Sequence, residues 1–115
     1  MSTFLDTVWT RIASLSELPS NDVVAIQAGD RDIAVYRLDD GVFATDNLCT
    51  HGNARLCDGF LLDDEIECPL HQGRFDIRTG KALCAPLTRD LRAYPVKVDG
   101  DEVYVNLADA PLPSA

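Results

Sequence analysis

Hydrophobic and polar positions alternate along most of this chain in short runs, and each run stops at a turn signal. Val23-Val24-Ala25-Ile26 is a β-branched run that ends at Gly29-Asp30. Ile33, Val35 and Arg37 then alternate with Ala34, Tyr36 and Leu38, the cluster Asp39-Asp40-Gly41 turns the chain, and Val42-Phe43-Ala44-Thr45 follows. A period of two on both sides of a glycine-containing turn predicts a β-hairpin over residues 31–46. Tyr94-Pro95-Val96-Lys97-Val98, Asp99-Gly100-Asp101 and Val103-Tyr104-Val105-Asn106 repeat the pattern. They predict a second hairpin, with Val96 and Val98 on one face and Lys97 on the other. Only residues 8–18 and 90–93 carry helical character, and both stretches are short. The reading is an all-β domain of antiparallel strands, a sandwich or small barrel.

The middle third differs from its flanks. Over residues 47–86 the strands shorten and the chain fills with Cys, His, Gly and Pro, as though loops had been set on a β base. Function concentrates on such loops. The whole chain is 115 residues, the size of one domain, and the proline-containing tail from Ala108 is expected to fray. Hydrophobic residues make up 46% and charged residues 25%, which is ordinary globular usage. Nineteen acidic against ten basic residues give a net charge of -9. That balance excludes nucleic acid and anionic membranes as partners and suits proteins with basic patches. No basic segment leads a long apolar run near Met1, and no stretch has the length of a membrane span. The expected location is the cytoplasm, where cysteines bind metal, react or pack rather than form disulfides.

Both histidines sit beside a cysteine. Cys49-Thr50-His51 is spaced C-x-H, and Cys68-Pro69-Leu70-His71 is spaced C-x-x-H. Residues 52–67 separate the pairs, enough chain to leave one site, form a short hairpin and return with the second pair facing the first. A tetrahedral zinc ion could take all four side chains, as in a binding module without redox function. Zinc fingers, however, pair like ligands with like, whereas each loop here offers one thiolate and one imidazole. That mixture suits a [2Fe–2S] cluster with two cysteines on one iron and two histidines on the other.

The same residues resemble a known family. Ala44-Thr45-Asp46-Asn47-Leu48-Cys49-Thr50-His51-Gly52 is similar to the first cluster loop of Rieske proteins, and Glu67-Cys68-Pro69-Leu70-His71-Gln72-Gly73-Arg74-Phe75-Asp76 to the second. With Thr79-Gly80-Lys81-Ala82-Leu83-Cys84-Ala85-Pro86, the stretch resembles the Rieske-type ferredoxins of bacterial aromatic-ring-hydroxylating dioxygenases, of the naphthalene dioxygenase kind. The resemblance implies a Rieske fold, an antiparallel β-sandwich base carrying a small cluster-binding lobe at about residues 45–86 of a single 1–115 domain. It implies Cys49 and Cys68 on the inner iron, and His51 and His71 on the outer, exposed iron. It also implies a monomeric one-electron carrier that a flavin-dependent NAD(P)H reductase reduces and a terminal oxygenase oxidises. A Rieske-like small subunit of another reductase, such as nitrite reductase, is the neighbouring possibility.

Departures from the pattern refine the expectation. The Rieske proteins of respiratory and photosynthetic complexes carry a disulfide between the two loops, where this chain has Ala54 and Leu70. They also carry serine and tyrosine hydroxyls that bond the cluster sulfurs, where this chain has Gly73 and Phe75. Fewer donors to sulfur disfavour the reduced cluster, so the midpoint is expected near the bottom of the range of roughly −150 to +300 mV. Both histidines are committed to the cluster and no G-x-G-x-x-G is present, so a carrier rather than an enzyme is expected. Cys57 and Cys84 lie off ligand spacing and read as packed thiols, with a disulfide between them the minor alternative. Asp58, Asp63, Asp64, Glu65 and Glu67 read as a solvated hairpin or as a steering patch. Trp9, Phe43, Phe60 and Tyr94 read as core or rim aromatics.

Overall fold

The computed structural model describes residues 9–50, 53–70, 72–84 and 89–108. In chain order its strands are β1 (Thr10–Ser14), β2 (Asp22–Ala28), β3 (Arg31–Leu38), β4 (Gly41–Asp46), β5 (Phe60–Leu62), β6 (Glu65–Glu67), β7 (Arg74–Asp76), β8 (Ala93–Tyr94), β9 (Val96–Asp99) and β10 (Glu102–Val105). Two 3₁₀ turns, Leu15–Glu17 and Leu56–Asp58, supply the helical content of the described residues. The strands form three antiparallel sheets, ordered β1-β10-β9, β2-β3-β4-β8 and β5-β6-β7.

The middle sheet is shared by two cores. Alternate side chains of a strand point to opposite faces, and β3 buries both. Ile33 and Val35 join Ala13, Ala28, Ala44, Tyr94, Val103 and Val105 against the β1-β10-β9 sheet, which makes the sandwich base. Ala34 and Tyr36 point the other way, into a core with Leu56, Ile66, Phe75, Ile77, Leu91 and both Cys49 and Cys68. Ile33 through Tyr36 are at most 1% exposed. Each large apolar side chain so buried contributes roughly 1.5–3 kcal/mol. Tyr36 is the largest of the fully buried side chains, and its hydroxyl meets Thr45 Oγ1 at 2.8 Å. Thr45 Oγ1 itself donates to the Asp46 carbonyl, leaving the tyrosine hydroxyl to donate to Thr45. Burial holds this phenol's pKa above the ordinary tyrosine value.

Both predicted hairpins form. β3 and β4 pair from Ile33↔Asp46 to Leu38↔Gly41, and β9 and β10 from Val96↔Val105 to Asp99↔Glu102. The face shared by Val96 and Val98 is covered only at its inner end, for Val98 is 43% exposed. Lys97 lies 5.1 Å from the Trp9 ring and 4.8 Å from the Tyr104 ring, as a cation over aromatic faces.

The helical reading of residues 8–18 is corrected. Residues 10–14 are strand β1, paired with β10 nearly a hundred positions away, and such distant pairing overrides local propensity. The start signal at Ser14 is real, with Ser14 and Glu17 forming a capping box, but the chain returns to extended geometry at Leu18 after one turn. Residues 90–93 are not helical either. Leu91 is buried with its N–H on the Gly80 carbonyl, and Ala93 begins β8.

Candidate metal centre

The 46 residues from Asn47 to Arg92 separate β4 from β8 and carry the third sheet. The expected short hairpin between the two Cys–His pairs is β5–β6, turning at Asp63-Asp64. Its neck depends on Gly59. A Cβ there would lie 2.1 Å from the Glu67 carbonyl oxygen, so a side chain would push β5 off β6 just before Cys68.

Two loops leave this frame, and they are built alike. In the first, Cys49 N–H donates to the Ala54 carbonyl at 2.9 Å, nested within a Leu48↔Arg55 bridge. In the second, Cys68 N–H donates to the Gly73 carbonyl at 2.8 Å, just before β7. Each bond joins a cysteine to the residue five positions on, and each closed segment contains one histidine of the sequence. Gln72 takes a positive φ of 59° as its N–H returns to the Cys68 carbonyl at 3.2 Å. Cys49 is 3% and Cys68 1% exposed, both lie in the core under Tyr36, and neither is in a disulfide. His51, Gly52, His71 and Pro86 lie outside the described residues. The structure thus places the cysteine half of the predicted ligand set.

Asn47 pins the first loop, a role the sequence did not announce. It is fully buried. Its Nδ2 donates to the Asp32 carboxylate at 3.2 and 3.3 Å and reaches Cys57 Sγ at 3.4 Å. Its Oδ1 accepts from Cys57 N–H at 2.9 Å, and its main chain bonds Asp32 and Leu56. Arg55 completes the clamp with Nε 3.3 Å from Asp32 Oδ2. The one available signal was an amide between a strand end and a ligand cysteine, where a buried polar group needs partners.

A third segment braces the first loop. Thr50 Oγ1 donates to the Arg89 carbonyl at 2.7 Å, and Asp46 N–H to the Arg92 carbonyl at 2.9 Å. Tyr94 donates its hydroxyl to Asp46 Oδ1, and Arg92 Nε lies 3.7 Å from Asp46 Oδ2. Burial first, then the Asp46 carboxylate, push the Tyr94 phenol up to about 12. Three leucines in or near the loops stand exposed: Leu48 at 55%, Leu70 at 57% and Leu83 at 43%.

Other predicted residues fall into place. Phe75 is fully buried in the same core as Cys49 and Cys68, with no hydroxyl to offer. Gly73 is buried as well. Cys57 and Cys84 are half-buried thiols without a mutual disulfide, so packing describes them only in part. Asp63 and Asp64 sit at the β5–β6 turn, at the other end of β6 from Cys68. Asp64 pairs with Arg78 and Glu65 with Arg74, so part of the acidic cluster is neutralised within the chain. Of the four aromatics, Tyr94 is core, while Phe60 is 59% exposed. Arg78 lies 4.8 Å above the Phe43 ring.

Two buried cysteines at the feet of matched loops are a donor set for thiolate-bound iron. The sequence matches the Rieske [2Fe-2S] domain over residues 8–95. It is 52% identical over 99 residues to the ferredoxin component of the naphthalene 1,2-dioxygenase/salicylate 5-hydroxylase systems of Ralstonia sp, covering 86% of this chain and 95% of that protein. Among solved structures, the ferredoxin of carbazole 1,9a-dioxygenase from Nocardioides aromaticivorans IC177 superposes with a TM-score of 0.81 at 41% identity, covering 85% of this chain and 96% of that one. A ferredoxin solved in complex with the reduced oxygenase of carbazole 1,9a-dioxygenase gives 0.79 at 35%, covering 94% and 97%. The chain therefore belongs to the Rieske [2Fe–2S] family, and the group it binds is a Rieske-type [2Fe–2S] cluster, which sets the zinc alternative aside. Within that family it is a ferredoxin, an electron carrier rather than a catalytic subunit. A structure described as a putative nitrite reductase small subunit shares 20% identity at a TM-score of 0.77, which is a likeness of fold alone.

Proposed function

We propose that this chain takes single electrons from a flavin-dependent NAD(P)H reductase and delivers them to the Rieske centre of a terminal aromatic-ring dioxygenase. In this reading Cys49 and Cys68 hold the inner iron, and His51 and His71 hold the outer one. The lobe at about residues 45–86 is the cluster-binding part of a single domain, and the carrier works as a cytoplasmic monomer.

The observation that carries the reading is the pair of matched loops. Each puts a buried cysteine at its foot and encloses a histidine in a segment closed by a main-chain bond. When bound, the cluster accepts and gives up one electron. The chain's own residues do the rest. The core around Leu56, Ile66 and Phe75 keeps water from the cysteine side, and the lobe closes on Asn47 and Thr50 rather than on a disulfide. Exposed Leu48, Leu70 and Leu83 offer a partner apolar side chains from which water is readily displaced.

The test is reconstitution followed by electron transfer. The loaded protein should be red-brown, bleach with dithionite, show a rhombic paramagnetic signal when reduced, and reduce a naphthalene-type oxygenase. His51→Ala or His71→Ala should abolish or convert that signal, and Cys49→Ser or Cys68→Ser should abolish it. A wild-type signal in either histidine variant would overturn the ligand assignment.

A further inference from the structure

An open cleft of about 640 Å³ lies beside the first loop, with Cys49 and Thr50 on one side and Arg31, Arg89 and Arg92 around it. In a chain of net charge -9, three of only ten basic residues face this one cavity. Two carboxylates, Asp32 and Asp46, also line it. Both have other commitments. Asp32 is held by Asn47 and Arg55, and Asp46 by Tyr94 and Arg92.

Two of the three guanidinium groups are less satisfied. Arg89 is exposed and uses its carbonyl, not its side chain, to brace Thr50. Arg31 donates to the Leu107 carbonyl at 2.8 Å and lies 5.7 Å from the Tyr94 ring, neither of which is a countercharge. Arg92 Nε is buried 3.7 Å from Asp46 Oδ2, without a hydrogen bond among the described residues, so its charge is answered by Asp46. A cleft that leaves the Arg31 and Arg89 charges without a carboxylate partner is a receptor for an anion, and Arg binds carboxylates through a planar fork. Exposed Leu48 on the same rim marks a protein surface, because apolar anchors beside arginine characterise protein interfaces and do nothing for a small ion.

Resting on the functional reading above, we propose that this cleft receives a carboxylate side chain projecting from the terminal oxygenase, docking it beside the first ligand loop. The carrier then meets its acceptor through a local positive contact, against the sign of its overall charge.

That opposition makes the test sharp. The loaded protein is titrated against the oxygenase of a naphthalene 1,2-dioxygenase system at low salt, reading the concentration that half-saturates electron transfer. Arg89→Glu should raise it about tenfold. Arg11→Glu, the same charge change on β1 and outside the cleft, should leave it unchanged or lower it. Both variants should keep the wild-type paramagnetic signal and midpoint, and reduction by the reductase should be unaffected. Equal behaviour of the two variants, or a defect confined to the reductase step, overturns the cleft proposal alone. Wild-type protein that passes no electron to the oxygenase overturns the functional reading and the cleft with it.

Discussion

The base and the lobe of this protein are held together by different physics. In the base, strands of up to eight residues interleave Ile33, Val35, Val103 and Val105 between two sheets, with little beyond apolar burial at the centre. In the lobe no strand of the third sheet exceeds three residues, and its ligand loops hang on hydrogen bonds from Asn47, Thr50 and the main chain. A three-stranded sheet this short has little independent stability. The lobe borrows a wall from the base through Ala34 and Tyr36, and the cluster supplies the rest. The difference predicts that folding and cofactor retention separate here, though the two regions share strand β3.

The largest break in that comparison is removal of the cluster by chelation. Hydrogen exchange should show the Cys49 and Cys68 amides losing at least tenfold protection, about 1.4 kcal/mol, while β3 and β10 amides keep theirs. Equal loss in both regions would show one cooperative unit instead of two. Next come paired truncations. Ile33→Ala should cost about 2–5 kcal/mol of global stability, with or without the cluster. Asn47→Ala should cost less, roughly 1–3 kcal/mol, because it strands the Cys57 N–H and one side of Asp32. Its cluster-loss rate should nevertheless exceed that of Ile33→Ala, and the reverse order would remove Asn47 as the loop's pin.

Smaller effects sharpen the lobe itself. Phe75→Tyr restores a hydroxyl in the core beside the ligand cysteines. It should raise the midpoint by roughly 20–60 mV, one net hydrogen bond's worth for a one-electron couple. An unchanged midpoint would put that ring out of reach of the sulfurs. The smallest effect lies at the seam. Tyr94 holds its proton more tightly when folded, with its pKa raised from 10.0 to about 12. Its stabilisation is complete below pH 10 and drains away as pH climbs towards 12. Tyr94→Phe should flatten the stability profile across that window in alkaline denaturation.

The base was legible in the sequence wherever pairing was local. The turns at Asp39-Asp40-Gly41 and Asp99-Gly100-Asp101 sit between alternating runs, so both hairpins could be read directly. β1 could not, because its partner β10 is remote and Ser14-Leu15-Ser16-Glu17 looks like a helix start. The two cysteines proposed as ligands stood out from spacing alone, since one thiol–imidazole pair per loop is rare chemistry. Asn47 was not, since nothing about a single amide reveals that Asp32, fifteen residues earlier, folds back to meet it. The arginine cleft was hidden for the same reason, its members coming from β3 and from the chain leading into β8.

Each ligand loop is shut by a bond between two peptide groups, Cys49 to Ala54 and Cys68 to Gly73, and that bond asks nothing of the side chains in between. Asn53, Pro69 and Leu70 are thereby released from holding the loop's shape through that bond. They can be rewritten to suit a new redox companion, or to retune the reduction midpoint, with both thiolates still seated where they are.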